Sequence, residues 1–538
     1  MSDTAQATRI GAREGAAVRA WISARWFPLG VAAITAATAG FLYHQLLAWP
    51  PHEDEALPLF IGRHPLDQVF QVVLEERGGA PLHFLLAWAV AHLDLGLEGL
   101  RAVSAVFAVA SLPVIALLLS RLGGRLNALI ATVVVAASWT FLFHGIYGRM
   151  YSVFLFTSAL SYLALLHAVE RGGRKAWALW ALAILATVAT HPYGALVLAS
   201  QGVFVAVAHR ERLRAALWAF GVVGVLGIPF WLTDLVLAGR FDAGVGGGGS
   251  SARLDVVSYV WDAAGDFTAG FPVLVIVLVA GAAGMVVLPR ETRLLTACAA
   301  LVPLAALAIA RSSGSPETRH LIFLLPFVAL PVAAGIARLG RVWGPAALAA
   351  LVVAQVGWAF DKTPELFNWE PAVRQEARAD AAAYLAATSR PNDVLLGYDP
   401  LFIQAWERNG DFPLVTLPRA DADLALHNLL DLERPLGHGV WVLDASKTTN
   451  YVRSLQIPLR SPRPAEAFEV RAFGPFLVIR TREPVVTPDR YLLRAGQAML
   501  VGKALFLGDA DINLPTIERA ARALRGYGAS RSLSTSSR

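Results

Sequence analysis

The sequence predicts a polytopic α-helical membrane protein of about 11–13 spans with a C-terminal soluble α/β domain on the outer face. Three observations predict it. The composition is 56% hydrophobic and only 16% charged, with a mean hydropathy of +0.52, whereas a soluble chain carries about 25% charged residues. Apolar runs long enough to cross a bilayer, about 20 residues each, recur from Phe27 to Phe360. Beyond Phe360 the chain becomes charged and proline-rich.

Arginine placement orients the spans. The net charge is +6 with a pI near 9.6, and nearly all the basic residues are arginine. The tail over residues 1–26 holds Arg9, Arg13, Arg19 and Arg25, so the N-terminus is expected in the cytoplasm. It is not expected to be a cleaved signal peptide, because its leading segment is long and no small-residue cleavage site follows the apolar run. Basic clusters at Arg121/Arg125, Arg171/Arg174/Lys175, Arg210/Arg212/Arg214, Arg290/Arg293 and Arg338/Arg341 all become cytoplasmic together under one set of crossings. Those crossings are 27–49, 100–120, 126–146, 150–169, 176–190, 194–208, 214–237, 271–289, 294–310, 320–337 and 343–360. The run Pro81–Leu93 is too short for a regular span and reads as a re-entrant or juxtamembrane helix within the outer loop over residues 50–99; the alternative, a true short span, would place Arg121 and Arg125 outside. In that loop Leu66, Val69, Phe70, Val73 and Leu74 recur at helical spacing, as in an amphipathic helix lying in the membrane interface or packed on the bundle.

The remaining elements follow from composition. Gly244 to Ser251 is a glycine-rich flexible segment with no following Lys-Ser/Thr, so it is not a phosphate loop. Residues 361–529 form the expected α/β domain, with a helix over Glu370 to Thr388 and strands at Asp393–Tyr398, Gly439–Leu443 and Pro475–Arg480. Helical stretches near 400–408, 421–433 and 513–525 interleave with the strands, and residues 530–538 read as a disordered tail. Cys298 is the single cysteine, so no internal disulfide can form. No basic stripe interleaved with aromatics is present, which argues against a nucleic-acid partner.

Under this topology the non-arginine polar chemistry gathers outside. An enzyme working there has no ready supply of nucleotide sugars or ATP, and the chain carries no Walker or dinucleotide fingerprint. An activated donor would therefore arrive on a lipid, through a phosphate. Asp54 and Glu55, in the run His52-Glu53-Asp54-Glu55 just after the first span, are the candidate catalytic pair, with Asp54 the better general base and Glu55 orienting the acceptor or the loop. The same pair also suits a solvated acidic loop. Arg319 and Arg149 can present planar forks to phosphate oxygens at the membrane surface, although arginines there also serve as interfacial anchors. Tyr151, His191, Tyr193 and His320 stand beside them at span ends as candidate substrate-binding residues. No ligand spacing such as H-x-x-x-H occurs among His52, Asp54, Glu55 and His191, so no metal is expected, and no cofactor.

At these residues the chain resembles the bacterial GT-C glycosyltransferases of the protein O-mannosyltransferase and aminoarabinose-transferase superfamily. The matching pieces occur in the family's order: Asp54-Glu55-Ala56 after the first span, Ala80-Pro81-Leu82-His83-Phe84, Leu100 to Ser104, Arg149-Met150-Tyr151, Thr190-His191-Pro192-Tyr193-Gly194, and Arg319-His320-Leu321. The likeness covers roughly residues 25–360. It implies a GT-C fold, a polyprenyl-phosphate sugar as donor, Asp54 as catalytic base, Arg319 at the polyprenyl phosphate, and an appended outer soluble domain. The chain departs from the family at two places. His144 to Arg149 contains no second acidic residue, and His83 stands where the family usually has tyrosine.

The function expected from these readings is a membrane glycosyltransferase. It would move a sugar from a polyprenyl-phosphate donor to a hydroxyl of a glycan, lipid or protein on the outer face of the cytoplasmic membrane. A lipid-linked sugar transporter or flippase and a polysaccharide ligase are the alternatives. A flippase would call for charges inside the spans, of which Asp234 is one of few.

Overall fold

The computed structural model describes residues 25–49, 52–242, 256–310, 317–365, 371–396, 415–417, 428–432, 434–444, 467–474 and 476–507. The expected glycine-rich segment, the 400–408 and 513–525 helices, the C-terminal tail and most of the 421–433 helix lie outside these residues.

The first helix, α1 (Arg25–Gln45), is followed by a group of short helices before the next long one. These are α2 (Glu53–Gly62), α3 (Leu66–Gln71), which runs into a π-helical turn over Val72–Arg77, and α4 (Pro81–His92). The expected amphipathic helix is therefore split. Val69, Val72 and Val73 are buried while Phe70 and Leu74 stay exposed. The short run at Pro81 forms a helix that packs on α2, with Gly62 against the backbone of Ala87.

The bundle continues through α5 (Gly96–Gly123), α6 (Arg125–Ala137), α7 (Trp139–Ile146), α8 (Tyr151–Arg171), α9 (Arg174–Thr190), α10 (Gly194–Ala208), α11 (Leu213–Leu226) and α12 (Ile228–Asp242). It closes with α13 (Val256–Thr268), α14 (Phe271–Val287), α15 (Arg290–Ala310), α16 (Leu325–Ala337) and α17 (Gly340–Glu365). Among the described residues, six helices are long and apolar enough to cross a membrane alone, and up to nine spans result if each bent pair counts as one. Two shorter apolar helices, α4 and α10, supply further candidates.

The bends are where the structure departs from the expected crossings. The expected span 126–146 breaks by 59° between α6 and α7. Ser138 causes the break: its backbone is extended (φ −67°, ψ 142°), and its Oγ accepts from Phe141 N while donating to Val135 O. The expected span 214–237 bends by 62° near Gly227 and Pro229. A helix not expected at all, α13, meets α14 at 90°, with Ala269 and Gly270 left-handed at the corner.

Small residues set the closest helix contact. A Cβ added at Gly284 of α14 would lie 1.8 Å from Pro331 O, and one at Gly335 of α16 would lie 2.1 Å from Ala280 O. Only glycine lets these two backbones approach so closely.

The C-terminal region is a mixed five-stranded sheet in the order β2-β1-β3-β5-β4, formed by β1 (Val394–Leu396), β2 (Val415–Leu417), β3 (Gly439–Asp444), β4 (Phe468–Phe473) and β5 (Phe476–Thr481). Strand β1 pairs in parallel with β2 and β3, and β5 is antiparallel to β3 and β4. Alternate side chains face opposite layers. Leu395, Val440, Val442 and Val478 pack on α18 (Pro371–Thr388). Val394, Leu396, Trp441 and Ile479 pack with Tyr491, Ala495 and Ala498 of α19 (Pro488–Leu507).

Candidate active site

The topology brings five chain segments to one end of the bundle: the start of α2, the first turns of α5, the α7–α8 turn, the α9–α10 turn and the 3₁₀ turn Thr318–Leu324 that leads into α16. The break at Ser138 directs α7 so that Tyr147, Gly148 and Arg149 reach the start of α2.

His52 caps α2. Its Nδ1 accepts from Asp54 N at 3.2 Å, and its own N–H donates to Glu55 Oε2 at 2.9 Å, closing a capping box. Glu55 is fully buried and fully engaged. Arg101 Nε donates to its Oε1 at 2.8 Å and Arg101 NH2 to its Oε2 at 2.7 Å, a bidentate pair. Gly148 N donates to Oε1 at 2.7 Å. Arg101 NH1 also ties the end of the first helical segment, through Leu46 O at 3.1 Å and Trp49 O at 2.9 Å. Burial opposes the charge on Glu55, but Arg101 and the backbone donors outweigh it and hold the carboxyl below its ordinary range. With both oxygens saturated and no exposure, Glu55 positions the loop. Of the two uses expected for Glu55, orienting the acceptor or orienting the loop, these contacts lie on the loop side.

Asp54 points the other way. Its side chain keeps 28% exposure, and its Oδ2 accepts from the Tyr147 hydroxyl at 2.9 Å and from Arg319 NH2 at 3.3 Å. Arg149 NH1 donates to the Asp54 backbone carbonyl at 3.0 Å. Burial would raise the Asp54 pKa, but Arg149, Arg319, His52 and the Tyr147 hydrogen bond hold the carboxyl well below the usual carboxylate range. It is therefore an anion at neutral pH. Burial, with the Asp54 charge next to it, pushes the Tyr147 hydroxyl up, so it stays a protonated donor.

Arg319 connects this carboxylate to an aromatic layer. It pairs with Glu317, and its guanidinium lies 5.3 Å from the Tyr151 ring centroid. Beneath it the Tyr151, His191 and His320 rings lie 5.1 to 6.0 Å apart, and Tyr193 is 5.1 Å from His320. His191 Nδ1 accepts from Tyr193 N at 3.0 Å. Burial, then Arg149 and Arg319, pushes the His191 pKa down to about 3, so its ring is neutral. All the residues nominated from the sequence thus meet in one connected cluster. Among the described residues no three His, Cys, Asp or Glu side chains group as metal ligands do.

Four residues of the cluster were not nominated. Arg101 was legible as a charge in an apolar helix. Tyr147 and His144 sit in the turn noted for its missing acid; His144 is buried, and among the described residues neither of its ring nitrogens has a hydrogen-bond partner. Glu317 gave no signal of its own.

The fold has counterparts in solved structures. The chain is similar to ArnT from Cupriavidus metallidurans in the apo state, with a TM-score of 0.56 and 14% identity over 86% of this chain and 98% of that one. It is likewise similar to the same protein bound to undecaprenyl phosphate, at 0.58 and 14% over 84% and 97%. An oligosaccharyltransferase from Archaeoglobus fulgidus matches at 0.44 and 12% over 81% and 71%. No protein-family model and no curated protein matches the sequence. On the likeness to ArnT the chain has a GT-C fold.

Proposed function

We propose that this chain is a glycosyltransferase that moves one sugar from a polyprenyl-phosphate donor to an acceptor hydroxyl of a glycan, lipid or protein. The observation that carries the reading is Asp54: an ionised, partly accessible carboxylate 3.3 Å from a guanidinium. Transfer to a hydroxyl needs a base at the attacking oxygen and a cation at the departing phosphate, and the two stand side by side here.

In this mechanism the acceptor oxygen attacks the anomeric carbon while Asp54 takes its proton. The bond from that carbon to the phosphate oxygen breaks, and the polyprenyl phosphate leaves with the electron pair. Arg319 and Arg149 stabilise the charge gathering on the phosphate. While no donor is bound, Arg319 neutralises Asp54, and a phosphate competing for the guanidinium would leave the carboxylate freer to accept a proton. Tyr147 holds the carboxylate in place. Tyr151, His191, Tyr193 and His320 form the polar aromatic wall offered to sugar and acceptor. Glu55 keeps Asp54 in position from behind.

The reading also places the site on the outer face of the cytoplasmic membrane, with the N-terminus inside and the C-terminal sheet outside. The arginine pattern supports that orientation. The test is to compare lipid-linked sugars and envelope glycans of cells with and without the gene. Loss of one sugar from the envelope, with its polyprenyl-phosphate form accumulating, is the expected result. Unchanged lipids and glycans would refute the proposal.

A further inference from the structure

Helix α13 fixes the two residues that precede Arg319. Tyr259 donates through its hydroxyl to Glu317 O at 3.2 Å. About two turns further on, Asp266 Oδ2 accepts from the Thr318 hydroxyl at 2.5 Å. The other Asp266 oxygen faces Lys362 Nζ at 3.3 Å, and its backbone carbonyl accepts from Thr140 Oγ1 at 3.2 Å. Lys362 itself lies 5.5 Å from the Trp139 ring and 5.7 Å from the Trp358 ring. Asp266 is thus tied to α7, to α17 and to the residue before Arg319, with only 13% of its side chain exposed.

We infer that Asp266 is a positioning residue for the donor phosphate: through Thr318 it sets the place of the Arg319 guanidinium. The proposal rests on the role of Arg319 at that phosphate. The physical ground is leverage. Arg319 carries a long, flexible side chain, and a bidentate phosphate contact needs its backbone held. The 3₁₀ turn that bears it has no side-chain cap of its own, so the fixed point comes from α13. Lys362 Nζ, 3.3 Å from one Asp266 oxygen, aims the other at the Thr318 hydroxyl.

The test is binding of undecaprenyl phosphate to purified full-length protein in detergent, with melting temperature recorded for each variant. Arg319→Ala is expected to weaken binding about tenfold or more. Thr318→Val, which keeps the shape and removes the hydroxyl, is expected to weaken it about three- to tenfold, and Asp266→Ala by a similar factor. Thr318→Ser should restore parental affinity, and the Asp266→Ala/Thr318→Val double variant should bind no worse than the weaker single one. A merely structural role would lower the melting temperature of Thr318→Val and leave the affinity of the folded protein for undecaprenyl phosphate at the parental value. If Arg319→Ala weakens binding but Thr318→Val and Asp266→Ala bind as the parent does, the positioning role of Asp266 is refuted and the phosphate role of Arg319 stands. If Arg319→Ala also binds as the parent does, or the parent does not bind, the phosphate assignment falls and Asp266 loses its role with it.

Discussion

Arg101 and Glu55 form a buried bidentate ion pair between α5 and α2, with both contacts under 3 Å and the two side chains 4% and 0% exposed. The pair joins two elements distant in the chain and locks the first turn of α2. Through that turn it fixes where Asp54 points. Removing one partner leaves a charge in a dry site, a loss of about 3–5 kcal/mol. Arg101→Ala should therefore lower the melting temperature sharply, and Arg101→Lys should not rescue it, because an ammonium cannot make the fork. The sign of the pH dependence follows from the depressed Glu55 pKa. Its stabilisation is fully present above the ordinary value of 4.5 and is lost as pH falls through the folded-state value. Thermal melts of the parent and Arg101→Ala from neutral to acid pH check both statements.

Activity should be insensitive to two groups that might be thought to titrate near neutrality. Asp54 is held anionic by Arg149 and Arg319 against the effect of burial, and His191 is held neutral by burial and the same arginines. The sugar phosphate diester also keeps its charge. From about pH 5.5 to 7.5, kcat/KM should show no inflection assignable to either side chain. Activity that depends on Asp54 falls only when pH drops below the ordinary carboxylate value, because its pKa is lowered. An inflection near pH 6.5 that disappears in His191→Gln would contradict this.

Transfer should invert the anomeric centre. In the proposed step the acceptor displaces the phosphate directly, with Asp54 as its base, and a single displacement at the anomeric carbon inverts it. The configuration of donor and product, compared by NMR, decides the matter; retention would point to a covalent intermediate instead.

Gly335→Ala should destabilise the bundle without touching the site. The new methyl would meet Ala280 O at 2.1 Å, and backbone on both sides leaves α14 and α16 to move apart. A cost of about 1–3 kcal/mol is expected, read as a lower melting temperature with undecaprenyl phosphate still bound by the folded fraction.

The sequence analysis was most legible where burial acts on both sides of an element. Strands β1, β3 and β5 are covered by α18 and α19, so they read as unbroken apolar runs. The edge strands β2 and β4 were not seen; the Phe468–Phe473 sequence alternates Glu469 and Arg471 with apolar residues, and β2 is only three residues long. Apolar length picked out helices long enough to cross a membrane, six to nine of them among the described residues, but it cannot show a bend. Ser138 and the Ala269–Gly270 corner break helices through local backbone geometry that hydropathy averages away. The same holds at the site. Acidic and basic residues at span ends were visible as candidates, and the fold gathers them. That Glu55 is saturated while Asp54 is open depends on Arg101, 46 residues further along the chain, and on the turn at Gly148. Neighbouring carboxylates look alike until the partners from other helices are in place.

The role of Asp54 as base is tested most directly by turnover of Asp54→Asn. The substitution keeps size and shape, removes the charge and basicity, and turns one acceptor oxygen into an N–H donor. Purified parent and variant would be compared with the polyprenyl-phosphate sugar that accumulates in cells lacking the gene. Transfer should fall on the order of 10²- to 10⁴-fold, with the melting temperature and undecaprenyl phosphate binding retained. Parental turnover by Asp54→Asn would show that the proton goes elsewhere and that Asp54 is not the base.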